Sequence, residues 1–187
     1  MKLPGFDGQK EHMTLVGQFE KNENGLIQLP SNFSFNDADF NAELSFCVKE
    51  GNEENAYIRG DAFASLIGAL ATTKTTDLTI VGFSMSDGSS PAPSLSHKNG
   101  INGDLIYLRT DQSGSGVLLG QKDFDLNRQN TFNDALYRFG WKDMLSEEFT
   151  PYGQNNTLRL NHTRHYSKSR HNNHLHLQGY KPNLKYK

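Results

Sequence analysis

Residues 97–109 read HKNGINGDLIYLR, and this junction between a loop and a strand is the most informative stretch of the sequence. The glycines and asparagines before position 104 are typical of a loop, whereas the apolar run that follows is typical of a strand. Gly100 and Gly103 would permit the loop to turn back, so that His97 and Asp104 converge. Imidazole nitrogen and carboxylate oxygen are both ligands that zinc accepts.

A second stretch, NHLHLQGY over residues 173–180, alternates polar and apolar residues and predicts a strand. Successive side chains of a strand point to opposite faces, so His174 and His176 should share one face while Leu175 faces the core. With His97 and Asp104, His176 makes three candidate metal ligands. A catalytic zinc site leaves its fourth position to water, and three candidates without a cysteine favour that arrangement.

Each of these two motifs is weak by itself. In a chain with seven histidines, a histidine seven residues before an aspartate is expected by chance about 0.4 times, and an HxH about 0.3 times. Either could be a surface loop or a strand histidine without a ligand. Their order, the glycines inside the first and the strand pattern around the second make the combination more specific.

The rest of the chain predicts a loop-rich α+β domain. Apolar residues at helical spacing indicate helices at 61–73, with Asp61 as a possible cap, and at 123–139, ending at Gly140. Further strands are predicted at 13–21, 42–50 and 77–84, with a turn at 22–25.

Composition restricts the class of protein. No apolar run approaches the roughly 18 residues that a membrane helix needs. The N-terminus, MKLPGFDGQKEHMTLVGQ, lacks the charged start and apolar region of a Sec signal. Cys47 is the single cysteine, which excludes an internal disulfide and a cysteine-rich zinc site, and we expect it to be a buried structural thiol.

Charge is unevenly distributed along the chain. The formal net charge is −2, yet residues 155–187 contain seven Lys or Arg, five of the seven histidines and no acidic residue. Such a segment could bind nucleic acid or another anionic polymer, or it could be a solvated surface. The remaining residues carry 12 basic and 21 acidic groups, which argues against a general nucleic-acid-binding protein.

The HxxxxxxD motif of His97 and Asp104, followed by HxH, resembles that of the LAS metallopeptidases. This group includes lysostaphin-type and D-Ala-D-Ala-carboxypeptidase-type enzymes. The fuller pattern HxxHxH, from His171 to His176, and the stretch SLSHKNGINGDLIYL resemble the penicillin-insensitive murein endopeptidase branch, which is similar to the M15-type enzymes. The resemblance covers roughly residues 78–180.

The resemblance implies a fold and a metal. The fold would be α+β, with a small antiparallel sheet, flanking helices and a zinc groove, known as the LAS or hedgehog-like peptidase fold. One zinc ion per chain would be held by His97, Asp104 and His176. We expect residues 56–187 to form this peptidase domain, and residues 1–55 to be an N-terminal extension of uncertain role, packed on its core.

The resemblance also implies roles for neighbouring side chains. His174 would act on the water or stabilise the charged intermediate, and His171 would be a second active-site imidazole. Ser94 and Ser96 precede the first ligand, where a serine helps to hold substrate in related enzymes. Many carboxypeptidase-type members use a glutamate before the last ligand as the base; no acidic residue lies near here, so His174 must serve.

The implied reaction is hydrolysis of an amide bond in peptidoglycan stem peptides or crosslinks, with a D,D-endopeptidase favoured. Without a Sec signal, such an enzyme would be made in the cytoplasm and would reach the periplasm or cell wall by another route. A toxin delivered by a secretion apparatus, with an immunity protein as partner, and a phage-type lysis enzyme both fit. No membrane partner is expected.

Two other classes remain open. The chain could be a zinc-binding but catalytically inactive module that binds cell wall. Less favoured is a nucleic-acid-binding protein that uses the basic C-terminal segment, which salt-sensitive binding of DNA or RNA would reveal.

Overall fold

The secondary structure comprises nine strands, two α-helices and one short 3-10 helix over the residues that the computed structural model describes, namely 15–39, 41–166 and 170–182. The 3-10 helix is Glu53–Asn55, and the helices are α1 (Gly60–Thr73) and α2 (Leu126–Arg138). The strands in chain order are β1 (Leu26–Gln28), β2 (Asn32–Asp37), β3 (Ala42–Val48), β4 (Tyr57–Arg59), β5 (Leu78–Gly82), β6 (Gly103–Ile106), β7 (Met144–Leu145), β8 (Thr163–Arg164) and β9 (His174–Leu177).

Seven of these strands form one mixed sheet in the order β2-β3-β5-β6-β9-β7-β8, and β1 pairs separately with β4. The pairs β3–β5 and β7–β8 are parallel, whereas the others in the main sheet are antiparallel. A parallel pair needs a long crossover connection, and α1 lies within the one between β3 and β5. The α+β class is as predicted, but the sheet is larger and more mixed than a small antiparallel sheet.

The core lies between the two helices and one face of the sheet. Leu66 and Leu70 of α1 are fully buried, and burial of each such side chain contributes about 1.5–3 kcal/mol. The helices approach closely at Gly68, where an added Cβ would lie 2.5 Å from the ring of Phe139. Leu105 of β6 and Leu175 of β9 pack into this core, so their neighbours along each strand face the opposite side.

The predicted helix at 61–73 is present as α1, but Asp61 is not its N-cap. The cap is Arg59, whose backbone is extended because it ends β4, so the helix begins one residue earlier than predicted. Asp61 lies in the first turn, where its carboxylate accepts hydrogen bonds from the Arg59 side chain at 2.6 Å and the backbone N–H of Ala62 at 2.9 Å.

The second predicted helix is shorter at its N-terminus than the expected 123–139. Asp125 caps α2 by accepting a hydrogen bond from the backbone N–H of Arg128, at 3.0 Å. Gly140 follows the C-terminus with φ of 117°, which confirms it as the stop signal.

The strands predicted at 42–50, 77–84 and 173–180 are present as β3, β5 and β9 with trimmed ends, and 22–25 forms a turn. The strand predicted at 13–21 is wrong over the described positions 15–20; positions 13 and 14 lie outside the described residues. Val16 and Phe19 pack against the core at a spacing of three, which does not match the two-residue period of a strand. Among the described helices, neither has the length and apolarity to cross a membrane.

Candidate metal centre

The centre of the site is built on two adjacent strands, β6 and β9. Their antiparallel register pairs Asp104 with His176 and Ile106 with His174. Paired residues project to the same face of a sheet, and here it is the face opposite the helices. The predicted alternation of HLHL is therefore present, and the pairing places the carboxylate beside both imidazoles.

The loop before β6 brings the third side chain to this face. The backbone N–H of His97 donates to Ser90 Oγ at 3.0 Å, and the carbonyl of Gly100 accepts from the backbone N–H of Arg59 at 3.0 Å. Gly100 has φ of +62°, and an added Cβ would lie 2.4 Å from the Arg59 nitrogen. The loop turns back as the sequence predicted, and close backbone approach to β4 requires the glycine.

Three ligand atoms meet at this point. His97 Nε2 lies 3.3 Å from Asp104 Oδ1 and 3.3 Å from His176 Nδ1, and His176 Nδ1 lies 2.7 Å from Asp104 Oδ1. Both imidazoles are buried, with 4% and 5% of their residue surfaces exposed. The structure thus brings together the three predicted ligands as a group that could hold a metal ion.

The spacing and chemistry of the group fit a tetrahedral metal. Ligands 2.0–2.2 Å from a tetrahedral zinc ion lie about 3.3 Å from one another, which matches both distances from His97. The shorter contact between Asp104 and His176 is a hydrogen bond that a metal would replace. Two imidazoles and one carboxylate leave the fourth position of such an ion to a small ligand.

Asp104 remains ionised in this setting. Burial alone would raise the pKa of its carboxyl group, but hydrogen bonds from His176 and His97 outweigh that effect and lower the pKa well below its ordinary value. An ionised carboxylate between two imidazoles is the protonation state that metal binding requires.

His174 lies at the edge of the ligand group without being part of it. Its Nε2 is 3.6 Å from Asp104 Oδ1, and its Nδ1 is 2.7 Å from the side-chain oxygen of Asn173. An amide oxygen only accepts hydrogen bonds, so Nδ1 carries the proton and Nε2 presents a lone pair towards the ligands. Burial lowers the pKa of His174, which favours the same neutral imidazole.

His171 completes the cluster from the loop that precedes β9. Its ring centroid lies 5.1 Å from that of His174 and 5.5 Å from that of His176. Burial, together with the two neighbouring imidazoles, lowers the pKa of His171 to about 4. Its backbone N–H donates to Glu147 Oε1 at 3.0 Å, and its carbonyl accepts from the hydroxyl of Tyr107 at 2.7 Å.

The cluster forms one wall of an open groove of about 800 Å³. Ser94 and Ser96 line it, half-buried, with their hydroxyl oxygens 3.5 Å apart. Asp104 is the only acidic residue among the described residues that line this groove, whereas the lining includes two guanidinium groups. The other lining residues are Pro93, Leu95, His97, Leu145, Arg164, Tyr166, Arg170, His171, His174, His176 and Gln178.

The two remaining histidines of the basic segment have different surroundings. His162 stacks on Tyr137, with ring centroids 4.0 Å apart, and its Nε2 lies 3.0 Å from Asp134, so it belongs to an exposed cluster elsewhere. His165 is also exposed, but its Nδ1 lies 2.7 Å from Glu147 Oε2. It therefore contacts the residue that holds the backbone of His171.

Two further polar side chains of the sheet region have structural contacts. Arg109 pairs with Asp111 and Asp123 on the surface. Cys47, expected to be buried, is only half-buried on the face of the sheet opposite the helices, with Sγ 3.2 Å from Thr79 Oγ1.

Sequence patterns did not indicate several residues that line the groove or hold its residues in place. Glu147 is 24 positions before His171, and Tyr107 lies in a strand-like run where an aromatic residue predicts only a core position. Arg164 and Arg170 were counted in the basic segment, but composition cannot tell which cations face a groove. The uneven charge of residues 155–187 was the only available signal, and it pointed to an anionic partner.

The sequence matches no model of a known protein family, and a search of curated proteins finds no match either. The resemblance to LAS metallopeptidases therefore stays a prediction carried by the motifs.

Proposed function

We propose that this protein is a zinc-dependent peptidase that hydrolyses an amide bond of peptidoglycan, with a D,D-crosslink as the favoured substrate, and that its domain has the LAS fold. The observation that carries the proposal is the convergence of His97 Nε2, Asp104 Oδ1 and His176 Nδ1 within hydrogen-bonding range of one another, on the wall of an open groove. The group has three protein ligands, whereas a closed structural site would need a fourth, and two further imidazoles lie beside it.

A zinc ion held by His97, Asp104 and His176 would supply Lewis acidity, which lowers the pKa of a water and polarises a peptide carbonyl. The protein's part is to hold the three ligands in the protonation state that binds the ion. The carboxylate of Asp104 is ionised, and each imidazole would bind the ion through a ring nitrogen that has released its proton, Nε2 of His97 and Nδ1 of His176.

His174 is the group placed to move a proton. Its Nε2 faces the ligands with a lone pair because Asn173 fixes the proton on Nδ1. The ring can therefore accept a proton at Nε2 from a water in the groove and later donate it to the departing amine. The described residues that line the groove include no glutamate, which supports His174 as the group for this task.

His171 is the second imidazole of the proposed active site. It is buried and neutral, and its ring lies next to those of His174 and His176. A neutral imidazole has one N–H group, so His171 can donate a hydrogen bond to the oxyanion of a tetrahedral intermediate.

The charge of the groove favours an anionic peptide. Arg164 is already paired with Asp143 through two hydrogen bonds, whereas Arg170 has no carboxylate partner among the described residues. Stem peptides of peptidoglycan carry free carboxylates, and a guanidinium group binds a carboxylate with two hydrogen bonds. Ser94 and Ser96, which line the groove directly before His97, are proposed to hold the peptide backbone.

A peptidase of this substrate class acts on the periplasmic side or on the outer wall. We propose delivery by a secretion apparatus as an antibacterial toxin, or release as a phage-type lysis enzyme. In the first case a cognate immunity protein would have to block the groove that Ser94, Ser96 and Arg170 line.

The test is digestion of purified peptidoglycan, with mass analysis of the released fragments, in the presence and absence of a chelator. We expect fragments that disappear with chelator and return when zinc is added. The mass of each fragment identifies the bond that is cut. Zinc bound at one per chain without any chelator-sensitive fragment would support a catalytically inactive wall-binding module instead.

Substitution of His174 separates catalysis from metal binding. We expect His174→Ala to abolish fragment release while the zinc content stays near one per chain, because His174 is not among the three ligands. His162→Ala is the matched control, since His162 stacks on Tyr137 outside the groove, and it should leave both measurements unchanged. Hydrolysis that survives in His174→Ala would contradict the proposed mechanism.

A further inference from the structure

We infer that Glu147 is a positioning residue that fixes His171 beside the metal-ligand group. The inference rests on the proposed function for its catalytic consequence, but its structural basis is independent of it. Glu147 is in none of the motifs that the sequence provides, and it lies two residues after Leu145, the β7 residue that pairs with His176.

The peptide groups on both sides of the His171 Cα are held by buried or half-buried side chains. Glu147 Oε1 accepts from its N–H at 3.0 Å, and the hydroxyl of Tyr107 donates to its C=O at 2.7 Å. Tyr107 is almost fully buried, and burial raises its pKa, so the hydroxyl keeps its proton as a donor. These two bonds fix where the His171 side chain leaves the backbone.

The carboxylate of Glu147 is itself held in place. Its second oxygen, Oε2, lies 2.7 Å from Nδ1 of His165, and only 19% of the side chain is exposed. A carboxylate has only acceptor sites, so it can take a backbone N–H on one oxygen and an imidazole on the other. Glu147, just after β7, thus contacts two residues of the connection between β8 and β9, His165 and His171.

The placement matters because His171 lies on a loop, where no strand ladder sets its position. The centroid of its ring lies 5.1 Å from that of His174 and 5.5 Å from that of His176. The ring has to stay near both imidazoles to act on the amide bond that the proposed active site hydrolyses. None of the three ligand side chains is hydrogen-bonded to Glu147 in the described structure, so loss of the carboxylate should spare metal binding. The expected signature is a fall in kcat with little change in KM or zinc content.

The experiment compares Glu147→Ala, Glu147→Gln and Glu148→Ala. Glu148 is the matched control, since it is the adjacent acidic residue but is exposed and paired with Arg159 away from the groove. The readouts are kcat and KM on peptidoglycan fragments, zinc content, and the hydrogen-exchange rate of the His171 amide in chelator-treated protein.

For Glu147→Ala we expect kcat to fall about 10- to 100-fold, the range typical for loss of a residue that orients a metal-site group. KM and zinc content should stay within about twofold, and the His171 amide should exchange at least about tenfold faster, because its hydrogen bond is gone. Glu147→Gln retains an acceptor oxygen, so its kcat and its exchange rate at the His171 amide should both be close to those of the wild type. Glu148→Ala should match the wild type.

Unchanged kcat together with unchanged exchange of the His171 amide in Glu147→Ala would overturn the inference. If that variant does not fold, Glu147→Asp shortens the side chain by one methylene and draws the acceptor away from the His171 N–H, and an unchanged kcat with unchanged amide exchange there would overturn it equally. Should the wild type release no fragments at all, the proposed function fails, while the exchange of the His171 amide still decides whether Glu147 holds this residue.

Discussion

Paired strands carry one part of the candidate site and loops carry the other, and the two parts are held by different means. Asp104, His174 and His176 lie on β6 and β9, where backbone pairing sets their positions. His97 and His171 lie on loops, where single contacts from Ser90 and Glu147 hold their backbone N–H groups. The loop-borne residues should therefore be far more sensitive to substitutions elsewhere in the chain.

The largest effect should come from a ligand on the strands. Asp104→Ala should weaken zinc binding more than about 100-fold, because even the outer partners of metal ligands typically contribute about 10- to 100-fold. The backbone ladder between β6 and β9 does not depend on this side chain, so we expect the chelator-treated variant to unfold at nearly the same urea concentration as the wild type. Isothermal titration with zinc and urea denaturation measure the two quantities.

Asp123→Ala is the control for this substitution, since Asp123 is an exposed aspartate whose side chain pairs with Arg109 at 3.4 Å, away from the groove. A variant of Asp104 that still binds zinc with wild-type affinity would remove the carboxylate from the ligand group. An Asp104 variant that unfolds at a much lower urea concentration would show that the pairing of β6 and β9 depends on this side chain.

The next effect tests the loop. Gly100→Ala should lower the free energy of unfolding by about 2–3 kcal/mol, because the new Cβ would clash with the backbone of Arg59 at a positive φ. Since the same loop carries His97, zinc affinity should fall as well. Gly116→Ala is the matched control: no atom lies within 4 Å of its added Cβ. Equal stability of the two variants would contradict the close approach between the loop and β4.

A smaller effect is expected at Ser90, whose hydroxyl accepts from the backbone N–H of His97. Ser90→Ala should destabilise the protein by about 1 kcal/mol, the usual net value of one hydrogen bond, and should weaken zinc binding a few-fold. The control is Ser113→Ala, which removes a hydroxyl that accepts from the backbone N–H of Ser115 in an exposed loop. It should change neither the stability nor the zinc affinity. A zinc affinity in Ser90→Ala equal to that of the Ser113 variant would mean that His97 is held without this bond.

The difference between the strand-borne and the loop-borne residues also explains how much of the site the sequence could predict. The two-residue period of HLHL placed His174 and His176 on one face, and the glycines before Asp104 allowed the loop to return. Such local patterns are properties of a few adjacent residues, so they can be recognised without the fold. They suffice for the ligand group and for the helices α1 and α2.

The contacts that hold the loop residues are non-local. Glu147 lies 24 positions before His171, and Tyr107 lies 64 positions before it. No sequence periodicity connects these residues. Likewise, the mixed order of the sheet depends on which strands pair after folding, and apolar runs alone do not specify it. The strand predicted at 13–21 is absent over the described positions 15–20 for a related reason: Val16 and Phe19 pack against the core without pairing with another strand.

The smallest effect should come from an ion pair at the outer strands of the site. Asp143 accepts two hydrogen bonds from Arg164 of β8 and one from Gln178, directly after β9. The bonds from Arg164 lower the pKa of Asp143 although burial opposes the shift. Because the folded pKa lies below the unfolded one, the stabilisation is present above about pH 4 and is lost as the pH falls through the folded pKa.

Both partners are more than one-third exposed, so solvent screening should limit the contribution to about 0.5 kcal/mol. We therefore expect Asp143→Asn to lower the free energy of unfolding by about this amount at pH 7, with a smaller difference from wild type at pH 3. Urea denaturation at the two pH values measures it, and Glu148→Gln, which breaks an exposed pair with Arg159 outside the strand frame, is the control. A loss of several kcal/mol or of zinc binding in Asp143→Asn would show that side chains, and not the backbone ladder, hold β9 in place.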